Sequence, residues 1–285
     1  SYGVWSPSRY ENLLVYGNQL GIRTGMNNEF VNCTVVDNSG LGIWSLSSNF
    51  SLTNCIVAGN TEGQIRFRNA DSPSQITVNY SNIEGSESGV DVNNNGSIIW
   101  GVDNFNVDSR FVDSQNNDYH LLASSKLINA GHPDSLDSDG TRKDIGVYPY
   151  LNSYSGPIWI VDANEGNDIS GTGAEDNKFA SIQSAINFAI DGDSVSVLPG
   201  TYIENIDFRS RSIKIVGIGS SNGEYPTIQG EVGGGHVVKI INTNNQTLLS
   251  GFTIENGNSF EGGGVYVNGT SPTLRNLAIK NNSAN

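Results

Sequence analysis

A seven-residue unit bounded by turn-forming residues recurs along this chain and restricts it, more than any other feature, to stacked coils. It reads NLLVYGN at Asn12–Asn18, NCTVVDN at Asn32–Asn38, NCIVAGN at Asn54–Asn60 and NLAIKNN at Asn276–Asn282. A version with glycine ends, GFTIENG, lies at Gly251–Gly257. Each unit carries apolar residues two apart: Leu13 and Val15, Cys33 and Val35, Cys55 and Val57, Phe252 and Ile254, Leu277 and Ile279. That alternation predicts a short strand with one buried face. Asn or Gly closes each unit because the chain must turn sharply there, and both tolerate left-handed backbone angles.

A second register runs between these units, at Gly3-Val-Trp, Gly21-Ile-Arg, Gly42-Ile-Trp, Gln64-Ile-Arg and Gly264-Val-Tyr. The first four begin 18, 21 and 22 residues apart. A coil of this length cannot bury its apolar face alone and must stack on its neighbours. Stacking places equivalent residues roughly 4.8 Å apart along the axis, in ladders. The flanking asparagines are expected to form one such ladder, hydrogen-bonded from coil to coil. Leucine is too sparse for a leucine-rich repeat, and a propeller needs longer units. The expected fold is an all-β parallel β-helix.

The composition agrees. With 34 glycines and only 15% charged residues, the chain has material for strands and turns and little for long helices. Its 29 acids against 15 bases leave a net charge of -14, which argues against nucleic acid as a partner. Such an acidic balance suits calcium ligation or solubility in salty surroundings. No apolar run approaches the roughly 20 residues that span a membrane. The sequence shows no signal peptide and no initiator Met, and is expected to be a mature or excised piece of something longer.

The coils resemble the right-handed parallel β-helix superfamily that includes pectate lyases. Right-handedness is implied by that resemblance and by the usual hand of parallel crossovers. The segment from Asp118 to Tyr150, with its core Asp137-Ser-Asp-Gly-Thr-Arg-Lys-Asp-Ile-Gly146, is similar to the closing module of secreted bacterial β-helix proteins of the choice-of-anchor Q type. It departs from that pattern at Lys126 and Ser138, where the family has Pro, and at Asn129, where it has Asp. Ile158–Asn164 and Phe179–Tyr202 resemble the opening of such β-helices. There Ile182, Ala185, Ile186 and Ala189 give one apolar helical face. With Ser181 as N-cap and Gly192 as stop, a helix of about 181–190 is expected to cover the open end of the first coil.

The expected organisation is therefore the last coils of one β-helix (1–117), a closing module (118–150), a linker (151–157), and the capped first coils of a second β-helix (158–285). From Gly264 past Asn285 to Gly3 of a following copy the spacing is 24 residues, close to one coil. That spacing predicts a period of a tandem array, or a subunit whose end stacks on the beginning of the next. Either gives a head-to-tail filament, because a contact that does not close propagates.

Several residues are candidates for chemistry. Asp134, Asp137, Asp139 and Asp144 surround a tight Asp-x-Asp-Gly turn of the kind that holds Ca²⁺, or alternatively cap turns and pair with Arg142. The acidic loop from Asp162 to Asp176 offers the same two readings. Trp5, Arg23, Trp44, Arg66 and, across a head-to-tail joint, Tyr266 follow inward-facing residues and so point outward on successive coils. They form either a stacking platform for polysaccharide or a subunit contact, or else a ladder that only protects the sheet. Cys33 and Cys55 occupy one inward position 22 residues apart, as stacked thiols or as a disulfide.

His120, His132 and His236 are scattered without metal-ligand spacing. The superfamily's hydrolases and lyases need Asp clusters on neighbouring coils, or a Lys or Arg base beside calcium-binding carboxylates; the repeat strands here carry Asn, Ser, Thr and apolar residues instead. The expectation is thus a non-enzymatic structural protein at a bacterial cell surface or outside the cell. The alternatives are a carbohydrate-binding adhesin and a polysaccharide lyase or hydrolase.

Overall fold

The computed structural model describes residues 8–25, 27–46, 49–68 and 73–284. It is a parallel β-helix with about ten coils and a single α-helix among the described residues. The chain divides into two compact units, one of residues 1–121 and 126–151, the other of 122–125 and 152–285.

The first unit has three parallel sheets. One stacks Arg9–Glu11, Asn28–Val31, Phe50–Thr53, Ser74–Asn79 and Gly96–Trp100 in that order. The second stacks Leu14–Tyr16, Thr34–Val36, Ile56–Ala58 and Asn82–Ile83, and the third Leu20–Thr24, Leu41–Ser45, Gly63–Phe67 and Val90–Asp91. Register is strict: Val15, Val35, Val57 and Ile83 form one inward column, and Ile22, Ile43, Ile65 and Val90 another. Phe30, Phe50 and Phe67 fill the middle. A one-residue slip would turn every one of these columns to solvent, so burial itself fixes the pairing.

The asparagines act as expected. Asn12, Asn32, Asn54 and Asn276 all lie in the left-handed region, at φ 52 to 56, and the first three mark the bends between the first and second sheets. Asn32 Nδ2 donates to Asn12 Oδ1 and Asn54 Nδ2 to Asn32 Oδ1. A second ladder joins Asn18, Asn38 and Asn60. Buried Asn38 donates from Nδ2 to Val15 O (3.2 Å), Val36 O (3.1 Å) and Asn60 Oδ1 (2.8 Å). Its Oδ1 accepts the Asn18 amide (3.0 Å). Turn carbonyls that would otherwise be orphaned in a dry corner are thereby satisfied.

The segment following Lys126 lies along the outer face of the second sheet. Val147 N donates to Thr34 Oγ1, Gly146 N to Asn54 O and His132 N to Asn54 Oδ1. This cover explains why Thr34, Val36 and Ile56, which face outward, are as buried as the core.

In the second unit the main sheet runs Ile158–Val161, Ser194–Val197, Lys214–Gly217, Leu248–Glu255, then Thr227–Gln229 and Thr201–Ile203, with Thr273–Lys280 paired to Leu248–Glu255. Ile206–Asp207, Val238–Ile241 and Val265–Asn268 form a second sheet, and Asn258–Ser259 pairs with Ser283–Ala284. Gly251 takes the ladder position opposite Asn276, as the Phe252–Leu277 pairing shows.

The helix spans Ile182–Phe188 and packs against strands Ile158–Val161 and Ser194–Val197. Ser181 is its N-cap. It ends two residues before the expected 190, because Ala189 turns to extended backbone, and Gly192 lies in the turn beyond. It is also buried all round, including Gln183 and Asn187. Asn187 Nδ2 donates to Ala123 O and Ser125 O, and Gln183 Nε2 to Asn187 Oδ1, so polar residues inside the cover are bonded. The Glu204 carboxylate accepts the Ile182 and Gln183 amides (2.7 and 2.9 Å), satisfying the free N–H groups of the first turn.

Candidate functional site

The outward column of the third sheet in the first unit brings together three of the sequence-predicted residues. Arg23, Trp44 and Arg66 are direct neighbours on successive strands, and Asp91 follows Arg66. The Arg23 guanidinium lies over the Trp44 ring, 5.7 Å from its centre. Arg66 does not complete the stack on the other side; its Nε meets Asp91 at 3.1 Å and its Nη2 donates to Glu62 O. Trp5 lies outside the described residues. Tyr266 belongs to the second unit, where it stacks on His236 with ring centres 4.4 Å apart.

Beside Arg66 runs a shallow groove of about 370 Å³ lined by Gln64, Arg66, Glu84, Ser88 and Asp91. The Glu84 carboxylate is already occupied by the Gly59 amide and by Gln64 Nε2. The repeat concealed this groove. A short 3-10 turn at Ser86–Gly89 lengthens the coil, so Asp91 falls 25 residues after Arg66, outside the 20–22 period. The second unit has an open groove of about 680 Å³ with Tyr225, Thr227, Thr253, Ala278 and Lys280 on its walls. Only the Gly-rich run before Tyr225 signals it in the sequence.

The four acidic residues of the Asp-x-Asp-Gly turn have separate roles. Asp137 is buried, with Oδ1 on the Lys143 ammonium (2.7 Å) and Oδ2 on the Asp144 amide (2.8 Å). Asp139 caps the turn through Thr141 N and Oγ1. Asp144 accepts the Asn129 and Tyr150 amides at 2.7 and 2.6 Å, and burial pushes its carboxyl up to about 7. Asp134 is exposed. Among the described residues no three His, Cys, Asp or Glu side chains gather into a group that could hold a metal. Lys143 supplies the cation on Asp137, and a calcium ion would have to displace it. The Arg142 partner expected for these acids is turned away, its Nε on Gly131 O and its guanidinium over Tyr80. In the other acidic loop, Lys178 bridges Asp162 and Glu165.

Cys33 and Cys55 are both buried free thiols. Cys55 Sγ lies 3.3 Å from Thr53 O and 3.4 Å from Phe30 O, and burial pushes its thiol up. His120 pairs with Asp118 and stacks on Tyr148, while His132 meets the Tyr80 ring edge-on.

The outermost described coils end the columns. Leu274 and Ile279 continue the inward columns of Leu249 and Ile254, yet are 40% and 51% exposed where those two are 0%. At the other edge, strands Arg9–Glu11 and Leu14–Tyr16 each have a neighbour on one side among the described residues. No family model, curated protein or solved structure matches the chain, so its likeness to pectate-lyase-like and choice-of-anchor Q proteins rests on the residues quoted for it.

Proposed function

We propose that the chain is a structural β-helix protein of the bacterial exterior, a unit of a head-to-tail filament or of a tandem-repeat surface protein. One observation carries this reading: the coils stack in strict register, with Val15, Val35, Val57 and Ile83 in one inward column, so that a stack of such coils grows by adding strand to strand. An apolar, hydrogen-bonding strand edge is a template for another strand, and a contact between unlike ends propagates. The acidic, Asn- and Gly-rich composition supports the extracellular setting. Light scattering and negative-stain electron microscopy across a wide concentration range test the proposal. Filaments or short end-to-end oligomers that lengthen with concentration are expected, and single particles at every concentration refute it.

Carbohydrate binding is the second reading, favoured by the Arg23–Trp44 stack and by the Tyr225-walled groove. Glycan-array binding lost on Trp44→Ala or Tyr225→Ala would establish it. Catalysis on a uronate polymer would instead raise absorbance near 235 nm. Calcium at the Asp134–Asp144 turn would exchange with Lys143.

A further inference from the structure

We infer that Cys33 and Cys55 close into a disulfide that turns one coil of the first unit into a covalent ring. The structure holds both residues as thiols, placed for that bond. The proposed exterior setting supplies the oxidising surroundings; the end-to-end assembly plays no part.

The stack makes the two residues direct neighbours. Thr34 pairs with Ile56 and Val35 with Val57, so Cys33 and Cys55, each just before, stand one above the other. The Ile56 amide donates to Cys33 O (2.8 Å). The corner asparagines before them, Asn32 and Asn54, share one conformation, at φ 52 and 55, and both side chains enter the core. Neighbouring strands lie about 4.8 Å apart, inside the Cα separation of about 4.4–6.8 Å that a disulfide needs. No other pairing competes: the chain has two cysteines, and the column continues to Leu13 on one side and Ser81 on the other.

The thiols already lean along the stack. Cys55 Sγ lies 3.4 Å from Phe30 O, in the coil that carries Cys33. A hydrogen bond from the Cys55 thiol holds Cys33 below the usual thiol range, while burial pushes Cys55 up. Neither S–H is needed where it points. Val31 O, 3.3 Å from Cys33 Sγ, already accepts the Asn12 amide, and Thr53 O, 3.3 Å from Cys55 Sγ, the Asn32 amide. The other carbonyls they touch, Tyr10 O and Phe30 O, lie within paired strands. Joining the sulfurs therefore leaves no carbonyl dependent on a lost S–H, and asks for a turn of Cys33 about χ1 toward Cys55. Parallel side chains strain such a bridge, and a strained disulfide is more easily reduced. Burial offsets this: both residues are 1% exposed, so a reductant reaches them only when the coil opens.

The step is a two-electron exchange with a small disulfide such as oxidised glutathione, or with the disulfide of a thiol oxidase. It takes place while the coil is open, because burial bars an oxidant afterwards. One cysteine thiolate attacks the oxidant, forms a mixed disulfide and expels a thiolate. The other attacks the chain's own sulfur in that intermediate and expels a second. The chain loses two electrons and two protons, and the oxidant leaves as two thiols. Closing residues 33–55 restricts the open chain and lowers the coil's opening equilibrium on the order of 100-fold.

Refolding the full chain from denaturant with oxidised and reduced glutathione, beside a sample refolded in reductant alone, tests the bond. In the oxidised sample the intact mass is expected to fall by two hydrogens, and non-reducing peptide maps to join the Cys33 and Cys55 peptides within one chain. Hydrogen exchange across 34–54 is expected to show opening on the order of 100-fold rarer than in the reduced sample. The double variant Cys33→Ser, Cys55→Ser is expected to abolish that difference. A reductant is expected to release the bond only once denaturant opens the coils. Should the oxidised chain fail to refold, natively folded reduced chain held with oxidised glutathione just below its unfolding transition gives the same mass readout. Free thiols, glutathione adducts alone or links between chains alone, by both routes, overturn the inference. So does a bond that leaves exchange unchanged, or one that a reductant opens in the native fold. Microscopy reads assembly in either sample, so loss of the bond leaves the proposed filament standing, and loss of the filament leaves the bond.

Discussion

Replacing Asn38 by Ala tests whether the corner ladder stabilises the coils. Asn38 is fully buried and donates to Val15 O, Val36 O and Asn60 Oδ1, while its Oδ1 accepts from the Asn18 amide and Nδ2. At about 1 kcal/mol net per neutral hydrogen bond, all of these bonds together give about 5 kcal/mol. Those shared with Asn18 sit at an exposed residue where water replaces them, which leaves about 3 kcal/mol from the donor bonds. The loss should be local, since a coil touches only its neighbours. Hydrogen exchange read by mass spectrometry is therefore the assay, on single chains at low concentration. A loss of about 3 kcal/mol is a rise of roughly 100-fold in the opening equilibrium, at 1.4 kcal/mol per factor of ten, for peptides covering 13–18, 34–45 and 56–67. Asn18→Ala, the same residue in the same ladder at the exposed edge, should cost less than about 1 kcal/mol. Equal effects of the two variants would refute the reasoning, because Asn38 differs from Asn18 in its burial and in the bonds it makes to coils on both sides.

Ile254→Asp would put a carboxylate into a column with no exposure and no cation, at a cost of several kcal/mol; melting unchanged from the parent chain would sink the inward assignment. Asp144 should make the first unit less stable as pH rises. Its carboxyl, raised by burial to about 7 from 3.8, keeps in the fold a proton that the unfolded chain releases. Its contribution is thus fully present below about pH 4 and lost as pH climbs through 7, a change on the order of 4 kcal/mol if the full shift is expressed. The melting midpoint should fall across that window, and Asp144→Ala should flatten the slope; a parallel slope in the variant would exclude Asp144 as its source.

How much of this was legible depended on whether the signal was periodic. Val35, Val57, Ile43 and Ile65 announce the columns because a strand repeats every two residues and a coil about every twenty, so each position is read several times over. The asparagine corners are equally plain, since few other residues accept a left-handed turn. Single-copy features lack that redundancy. Glu204, which caps the helix from 21 and 22 residues away, looks like any strand-flanking acid. Gln183 and Asn187 lie off the apolar helical face, and nothing in their spacing reveals that Ala123 and Ser125 present carbonyls to one of them. The acids of the Asp-x-Asp-Gly turn were visible as a motif, but their partners were not. Lys143 on Asp137, and backbone amides on Asp144, are set by how the loop folds back on itself.

The distribution of satisfied groups weighs against a ligand site on the flanks of the coils. Along the flanks, outward charges already have partners: Arg66 with Asp91, Lys239 with Asp207, Lys280 with Glu255. A ligand there must compete with bonds that exist.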